Sequence, residues 1–190
     1  MYRLFVSVEL PDGVKQSLAR LGNDVPGARW LEPDELHLTV RFIGEVDGVV
    51  FDDVLAALDE VRRAPFALAL RGVGHFPPRG EPRILWAGLE RSAELKVLHD
   101  KVESALVRAG VEPEPRKFTP HVTLARLRDA SNQDVADYLS VRGYFPSRSF
   151  TADRFLLFSS RASVGGGPYI VENAYALSAE EATPTYRYSE

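Results

Sequence analysis

One four-residue pattern, a histidine, an apolar residue, a threonine and a second apolar residue, occurs twice in the chain. It reads His-Leu-Thr-Val at residues 37–40 and His-Val-Thr-Leu at residues 121–124. The chain contains only 4 histidines. Two of them in matching contexts therefore indicate a retained chemical role rather than a chance strand pattern.

The pattern determines which side chains are displayed together. Alternate residues of a β-strand share one face, so His37 and Thr39 lie on the same side and the apolar residues point to the core. The same holds for His121 and Thr123. If the two strands face one another, a cleft between them would present two imidazoles and two hydroxyls.

This set of groups suits the cleavage of a phosphodiester bond. A base must deprotonate the attacking oxygen and an acid must protonate the leaving oxygen, and histidine serves in both roles near neutral pH. Threonine hydroxyls can donate hydrogen bonds to the non-bridging oxygens. A metal site formed by His37, His121 and a carboxylate is the alternative, but threonine is a poor zinc ligand and no further ligand has suitable spacing. We therefore expect no metal and no cofactor.

Hydrophobic spacing predicts an order of elements that also occurs twice. The first copy has strands at residues 4–9, 37–42 and 66–73, with helices at 13–21 and 51–62. The second has strands at 84–89, 121–127 and 150–158, with helices at 93–109 and 133–139. The two histidines are 84 positions apart, as are the strands that begin at residues 66 and 150. Two copies with so long a period indicate a duplicated unit.

The predicted fold is α+β and bilobal, with two pseudo-symmetric lobes that each have an antiparallel sheet flanked by helices and a cleft between them. The lobes cover residues 1–75 and 81–180 of a single domain, 1–190, and strand exchange between them is left open. The turn-rich segment 72–80 is interpreted as the crossover. A last strand is expected at 169–177, after glycines at 165–167, and the residues from 180 onwards are expected to be poorly ordered.

The composition restricts the chemistry, the compartment and the binding partners that can be expected. With no cysteine there is no thiol nucleophile, thiolate metal site or disulfide framework. A net charge of −4 argues against a broad footprint on duplex nucleic acid but permits a small site for an RNA end. No apolar run approaches the roughly 20 residues that cross a membrane. We expect a cytoplasmic monomer with no membrane contact and no obligate protein partner.

Four longer motifs carry a family resemblance. They are R-L-F-V-S-V-E-L-P at 3–11, L-H-L-T-V-R-F-I-G-E-V at 36–46, F-P-x-x-x-x-P-R-I-L-W-A-G-L at 76–89, and P-R-K-F-T-P-H-V-T-L-A-R at 115–126. On these motifs the sequence resembles the 2H phosphoesterase superfamily, and within it the RNA 2′,3′-cyclic phosphodiesterases first described as 2′-5′ RNA ligases.

The resemblance implies metal-independent hydrolysis of RNA 2′,3′-cyclic phosphate ends, or of nucleoside 2′,3′-cyclic phosphates, to 2′-phosphomonoesters. The resemblance also implies reversible 2′-5′ RNA ligation, in which a 5′-hydroxyl takes the place of water. His37 and His121 would be the acid and the base, and Thr39 and Thr123 would bind the phosphate. The sequence leaves open which histidine is the acid, with His121 as the favoured choice.

Some further residues are candidates for substrate binding. Arg126 matches an arginine of the family pattern, but strict alternation places it on the face opposite His121, so a bulge would be needed to turn it inward. Phe42 and Phe5 are candidates for stacking on a terminal base, with core packing as the alternative. Strict alternation places Arg41 on the same face of the strand as His37, and it is expected to be an exposed strand-end arginine.

Two other functions are kept open. The same groups would act on a different phosphoester, such as a 2′,5′-oligoadenylate or another cyclic nucleotide. Alternatively, the protein is a non-catalytic module that binds nucleotides or RNA ends. Two retained histidines argue against the module, because binding alone does not need two groups that transfer protons.

Overall fold

The computed structural model describes residues 1–22, 24–146, 148–160 and 169–178. Within these ranges it has helices and a curled antiparallel sheet, so the predicted α+β class is confirmed. The glycines at 165–167 and the tail from residue 180 lie outside the described residues.

The strands and helices follow the predicted alternation with a few differences at their ends. The strands are β1 (Tyr2–Val8), β2 (Ala28–Trp30), β3 (Leu38–Val46), β4 (Phe66–Phe76), β5 (Ile84–Leu89), β6 (His121–Leu127), β7 (Arg148–Ala152), β8 (Arg154–Ser160) and β9 (Tyr169–Ala176). The helices are α1 (Asp12–Ala19), α2 (Gly48–Asp59), α3 (Ala93–Arg108) and α4 (Asn132–Arg142), with a short 3-10 helix at Pro33–Glu35.

The strand order is β7-β4-β5-β6-β3-β1-β8-β9, with β2 added to β6. Every pairing is antiparallel. β7 lies at one end of this order and β8 lies near the other, yet only Asp153 separates them in the chain. Because successive Cα atoms are about 3.8 Å apart, the two ends must approach each other, and the sheet curls.

Strands from the two halves of the chain alternate in the sheet. β4 precedes the predicted crossover but pairs with β5 and β7, whereas β8 pairs with β1 and carries β9 beside it. A division of the chain at residues 75–81 therefore does not separate the two halves of the sheet. In the sheet, β4 lies between β5 and β7, and β8 lies between β1 and β9.

The helices bury apolar stripes against the sheet, as their spacing predicts. α2 packs against α3, α3 against β3, and α4 against β4. Leu58, Leu98 and Tyr138, one from each of these helices, are at most 3% exposed. Side-chain caps from Asp47 and Ser92 begin α2 and α3, which satisfies backbone donors that would otherwise lack partners.

Two predicted element bounds were wrong, and one strand was missed. The strand expected at 150–158 is two strands divided at Asp153, and the segment 72–80 is partly strand, because β4 continues to Phe76. β2 was not predicted, since three residues are too few for periodicity to show.

Arg41 is not the exposed strand-end residue that the sequence predicts. Its side chain is 4% exposed and forms an ion pair with Glu103. Its Nη2 donates to the carbonyl oxygen of Glu112 at 2.6 Å, and its Nη1 lies 3.8 Å from a carboxylate oxygen of Glu114. A bulge in β3 beside Val40 turns Arg41 away from the face of the histidine. Arg41 thereby ties β3 to the segment that leads into β6.

We predict that Arg41→Ala lowers the free energy of unfolding by about 3 kcal/mol, because it leaves a carboxylate partly buried without its counter-charge. Lys96→Ala is the matched control, since the Lys96–Asp100 pair is 70% and 53% exposed and such a pair contributes only about 0.5 kcal/mol. Urea unfolding followed by circular dichroism measures both. Equal midpoints for the two variants would contradict this role of Arg41.

Candidate active site

The two histidine motifs meet where the halves of the sheet join. Leu38 of β3 pairs with Val122 of β6, and both are 0% exposed. The residues on either side of this pair point to the opposite face of the sheet. They are the four predicted site residues, His37, Thr39, His121 and Thr123.

The antiparallel register places each histidine beside the threonine of the other motif. Residues opposite each other in such a pair have Cβ atoms about 4.5–5.5 Å apart. Thr39 and His121 line one cavity of about 430 Å³, and His37 and Thr123 line another of about 200 Å³. The structure therefore brings the four residues together.

Each histidine is held by a backbone carbonyl two residues before it. Nδ1 of His37 lies 2.7 Å from the carbonyl oxygen of Glu35, and Nδ1 of His121 lies 2.8 Å from that of Thr119. A carbonyl oxygen only accepts, so each Nδ1 carries a hydrogen and donates it. The other nitrogen, Nε2, is left to exchange protons with a substrate.

Sequence reasoning missed these two carbonyls, because a backbone acceptor has no side-chain signature. In the first copy, the 3-10 helix fixes the carbonyl of Glu35, the residue on which the helix ends. A reciprocal capping box between Glu32 and Glu35 stabilises the helix, and Arg29 pairs with Glu35 at 2.7 Å. The Glu-Pro dipeptide at 32–33 was the available signal for this turn.

Aromatic rings surround the two histidines unequally. The ring of His37 lies 4.8 Å from that of Phe5 and 5.0 Å from that of Tyr169, which meets it edge to face. His121 meets the ring of Phe76 at 5.0 Å. His37 is thus the more enclosed of the two rings, and none of these three aromatic neighbours follows from the motif.

This environment changes the proton affinity of His37. Burial, together with the smaller effect of the positive charges of Arg126 and His121, lowers the pKa of His37 from its ordinary value of 6.5 to about 4. The hydrogen bond to the carbonyl of Glu35 acts in the opposite direction. At neutral pH the imidazole is therefore uncharged, and Nε2 can accept a proton.

Both motif strands contain a bulge after the threonine. The register of β3 against β1 shifts between Thr39 and Arg41, and that of β6 against β5 shifts between Thr123 and Ala125. A bulge inserts one extra residue and reverses the alternation of faces beyond it. In both copies, the side chains after the bulge therefore point to the face opposite to the one that strict alternation predicts.

Phe42 and Arg126, which are 84 positions apart, are the residues that these bulges turn toward the histidine face. Both line the cavity of about 200 Å³ that His37 and Thr123 also line. Arg126 is exposed and has no acidic partner among the described residues. The guanidinium of Arg3 lies 5.3 Å from the centre of the Phe42 ring. Phe5, the other stacking candidate, is 4% exposed and forms part of the wall.

The described residues contain neither a metal-binding cluster nor a membrane-spanning helix. No group of three or more histidine, aspartate or glutamate side chains there is arranged to hold a metal ion. None of the helices in that part of the chain is long and apolar enough to span a membrane.

Two oriented imidazoles and two hydroxyls around a pair of cavities that share Thr39 and Phe42, with an arginine that has no acidic partner in the described part of the chain, define a phosphoesterase of the two-histidine class. The comparisons with known proteins agree. The family model described as LigT-like phosphoesterase matches residues 8–86 and 89–169. The chain belongs to this family, and each matched stretch contains one of the two histidine motifs.

Individual relatives resemble the chain over most of its length. A protein of Archaeoglobus fulgidus named RNA 2′,3′-cyclic phosphodiesterase is 34% identical over 151 residues, which are 78% of this chain and 83% of the relative. A crystal structure of a Thermus thermophilus protein superimposes with a TM-score of 0.77 at 28% identity, over 94% of this chain and 99% of that one. The crystal structure of E. coli LigT complexed with 3′-AMP superimposes with a TM-score of 0.73 at 27% identity, over 93% of this chain and 98% of that one.

We predict that Arg126→Gln raises the pKa of His37, because it removes a positive charge that opposes protonation of the ring. NMR titration of the histidine ring signals measures this pKa, which should lie near 4 in the unaltered protein. Burial still acts on the ring in the variant, so its pKa should stay below 6.5. Arg128→Gln is the control, since it removes an exposed charge just beyond the same strand. An unchanged or lower pKa in Arg126→Gln would contradict the placement of Arg126 beside His37.

Proposed function

We propose that the protein hydrolyses 2′,3′-cyclic phosphate ends of RNA to 2′-phosphomonoesters, without a metal, by acid and base catalysis from its two histidines. The observation that carries the proposal is the matched hydrogen bond from each Nδ1 to a carbonyl two residues earlier. It gives both rings the same tautomer and leaves Nε2 of each ring available for proton exchange with a substrate. Relatives named RNA 2′,3′-cyclic phosphodiesterase support the choice of substrate.

His37 is the proposed base and His121 the proposed acid. Nε2 of His37 takes a proton from water, whose oxygen forms a new bond to phosphorus. The bond from phosphorus to the 3′ oxygen breaks, and that oxygen receives the proton of His121 Nε2. The lowered pKa of His37 keeps it free to accept a proton at neutral pH, which supports this assignment.

Thr39 and Thr123 are the proposed donors to the non-bridging oxygens, where negative charge is held in the transition state. Arg126 adds a positive charge on the same face. The proposed roles are also consistent with 2′-5′ ligation. A 5′-hydroxyl of RNA in the place of water would form a 2′-5′ linkage through the same proton transfers.

We predict that His37→Ala and His121→Ala each lower the turnover of a cyclic-phosphate-ended oligonucleotide by about 10³-fold, since each removes one proton-transfer group. EDTA should leave the unaltered enzyme fully active. Product analysis by phosphorus NMR measures turnover and identifies the 2′-phosphomonoester. His75→Asn, a substitution of a histidine on β4 outside both cavities, is the control.

The results that would contradict the proposed mechanism differ from those that would favour another function. Loss of activity in EDTA, or full activity in either alanine variant, would refute the metal-free mechanism. Tight binding of the oligonucleotide without turnover would favour the non-catalytic module. Cleavage of 2′,5′-oligoadenylate in place of the cyclic phosphate would favour the other substrate class.

We predict that Thr39→Val and Thr123→Val each lower kcat by about 10²-fold, because valine keeps the shape of the side chain and removes the donor. Thr39→Ser and Thr123→Ser, which keep the hydroxyl, should retain most of the activity. Steady-state kinetics on a 2′,3′-cyclic mononucleotide measure these differences. Valine variants as active as the serine variants would exclude the hydroxyls from catalysis.

A further inference from the structure

A groove lies beside the catalytic cavities and is used by none of the roles proposed above. It is lined by the end of β5, the start of α3 and the segment 117–120 that leads into β6, and its volume is about 840 Å³. Thr119, whose carbonyl orients His121, belongs to its wall. The groove therefore begins within two residues of a proposed catalytic group.

The groove is continuous with the site. The cavity of about 430 Å³ that contains Thr39, Phe42 and His121 shares Lys117 and Phe118 with it. A chain that leaves the catalytic cavity past these shared residues enters the groove directly.

The groove has an aromatic floor and an aromatic wall. Trp86 forms the floor and faces the same side of the sheet as Thr123, its partner in β6. A side chain at Gly74 would have its Cβ 2.4 Å from the indole of Trp86, so glycine there lets the ring lie against the sheet. In the wall, His99 and Phe118 stack with ring centres 4.1 Å apart and planes 15° apart.

The groove is lined by three positive side chains, Arg91, Lys96 and Lys117, and by two negative ones, Asp100 and Glu90, of which Glu90 pairs with Arg71 outside the groove. Arg91 and Lys117 are exposed and have no acidic partner within the described ranges, and Lys96 pairs with Asp100 only at the surface. A surface pair of this kind contributes little, so Lys96 can exchange its carboxylate for a phosphate. Proteins usually bind single-stranded nucleic acid by stacking its bases on aromatic rings and by pairing its phosphates with positive side chains.

We propose that this groove binds the nucleotide on the 5′ side of the terminal one, so that the enzyme prefers oligonucleotide ends to cyclic mononucleotides. A cyclic phosphate occupies both the 2′ and the 3′ oxygen of the last ribose, and the strand therefore continues only to its 5′ side. The terminal nucleotide occupies the cavities beside Phe42, and the preceding base stacks in the groove. The inference rests on the proposed hydrolysis of cyclic phosphate ends.

The kinetic test compares kcat/KM for a dinucleotide that ends in a 2′,3′-cyclic phosphate with that for the cyclic mononucleotide. We expect the unaltered enzyme to prefer the dinucleotide by about tenfold or more, as one stacked base provides. The double variant Arg91→Gln with Lys96→Gln should lose about tenfold on the dinucleotide alone, since both residues line the groove and neither lines the catalytic cavities. The control variant Arg20→Gln removes one exposed positive charge just after α1 and should leave kcat/KM for both substrates unchanged.

A binding test uses the fluorescence of Trp86. The chain has 2 tryptophans, so the variant Trp30→Phe leaves Trp86 as its single reporter. We expect a dinucleotide with a 2′-phosphate, which is a product and is not turned over, to quench this fluorescence more than the mononucleotide 2′-phosphate does.

The results that would overturn the inference differ from those that would overturn the function. Equal kcat/KM for both substrates, or equal quenching by both products, would exclude the groove as a nucleotide subsite while leaving the hydrolysis intact. Quenching by an acidic peptide as strong as that by the dinucleotide would assign the groove to a protein partner instead. Turnover of neither substrate would refute the proposed function itself.

Discussion

The pairing of Leu38 with Val122 is the contact on which the site depends. It joins the strands β7, β4, β5 and β6 to the strands β3, β1, β8 and β9, and neither side chain is exposed. Because the histidine and the threonine of each motif flank this pair, one register fixes all four side chains. A slip of one residue would turn the whole set into the core, so the contact that closes the sheet also assembles the site.

The sequence predicted the elements better than it predicted their pairing. Hydrophobic spacing predicted the four helices and both motif strands, and alternation predicted that the histidines and threonines share a face. The bulges after Thr39 and Thr123 could not be predicted, since a bulge is a property of two paired strands and not of one. They explain why Arg41 is buried and why Arg126 lies on the site face. The carbonyls of Glu35 and Thr119 were missed because any residue type supplies the same acceptor.

The two copies share their geometry and differ in their surroundings. Each imidazole donates to a carbonyl two residues earlier, but only His37 is enclosed between Phe5 and Tyr169. Acid and base catalysis needs one neutral and one protonated group at the same pH. The shared motif cannot provide this difference, whereas unequal burial can. The direction of proton transfer that we propose therefore originates in the residues that differ between the two copies.

Phe42 and Arg126 show the same divergence at one equivalent position. The bulge in β3 presents an aromatic ring to the cavity, and the bulge in β6 presents a positive charge. In the free protein that charge helps to keep His37 unprotonated. A bound phosphate anion would offset the charge of Arg126, and we expect the proton affinity of His37 to rise as the substrate binds. The proposed base thus stays free of protons in solution and becomes more basic when the bond to be broken is in place.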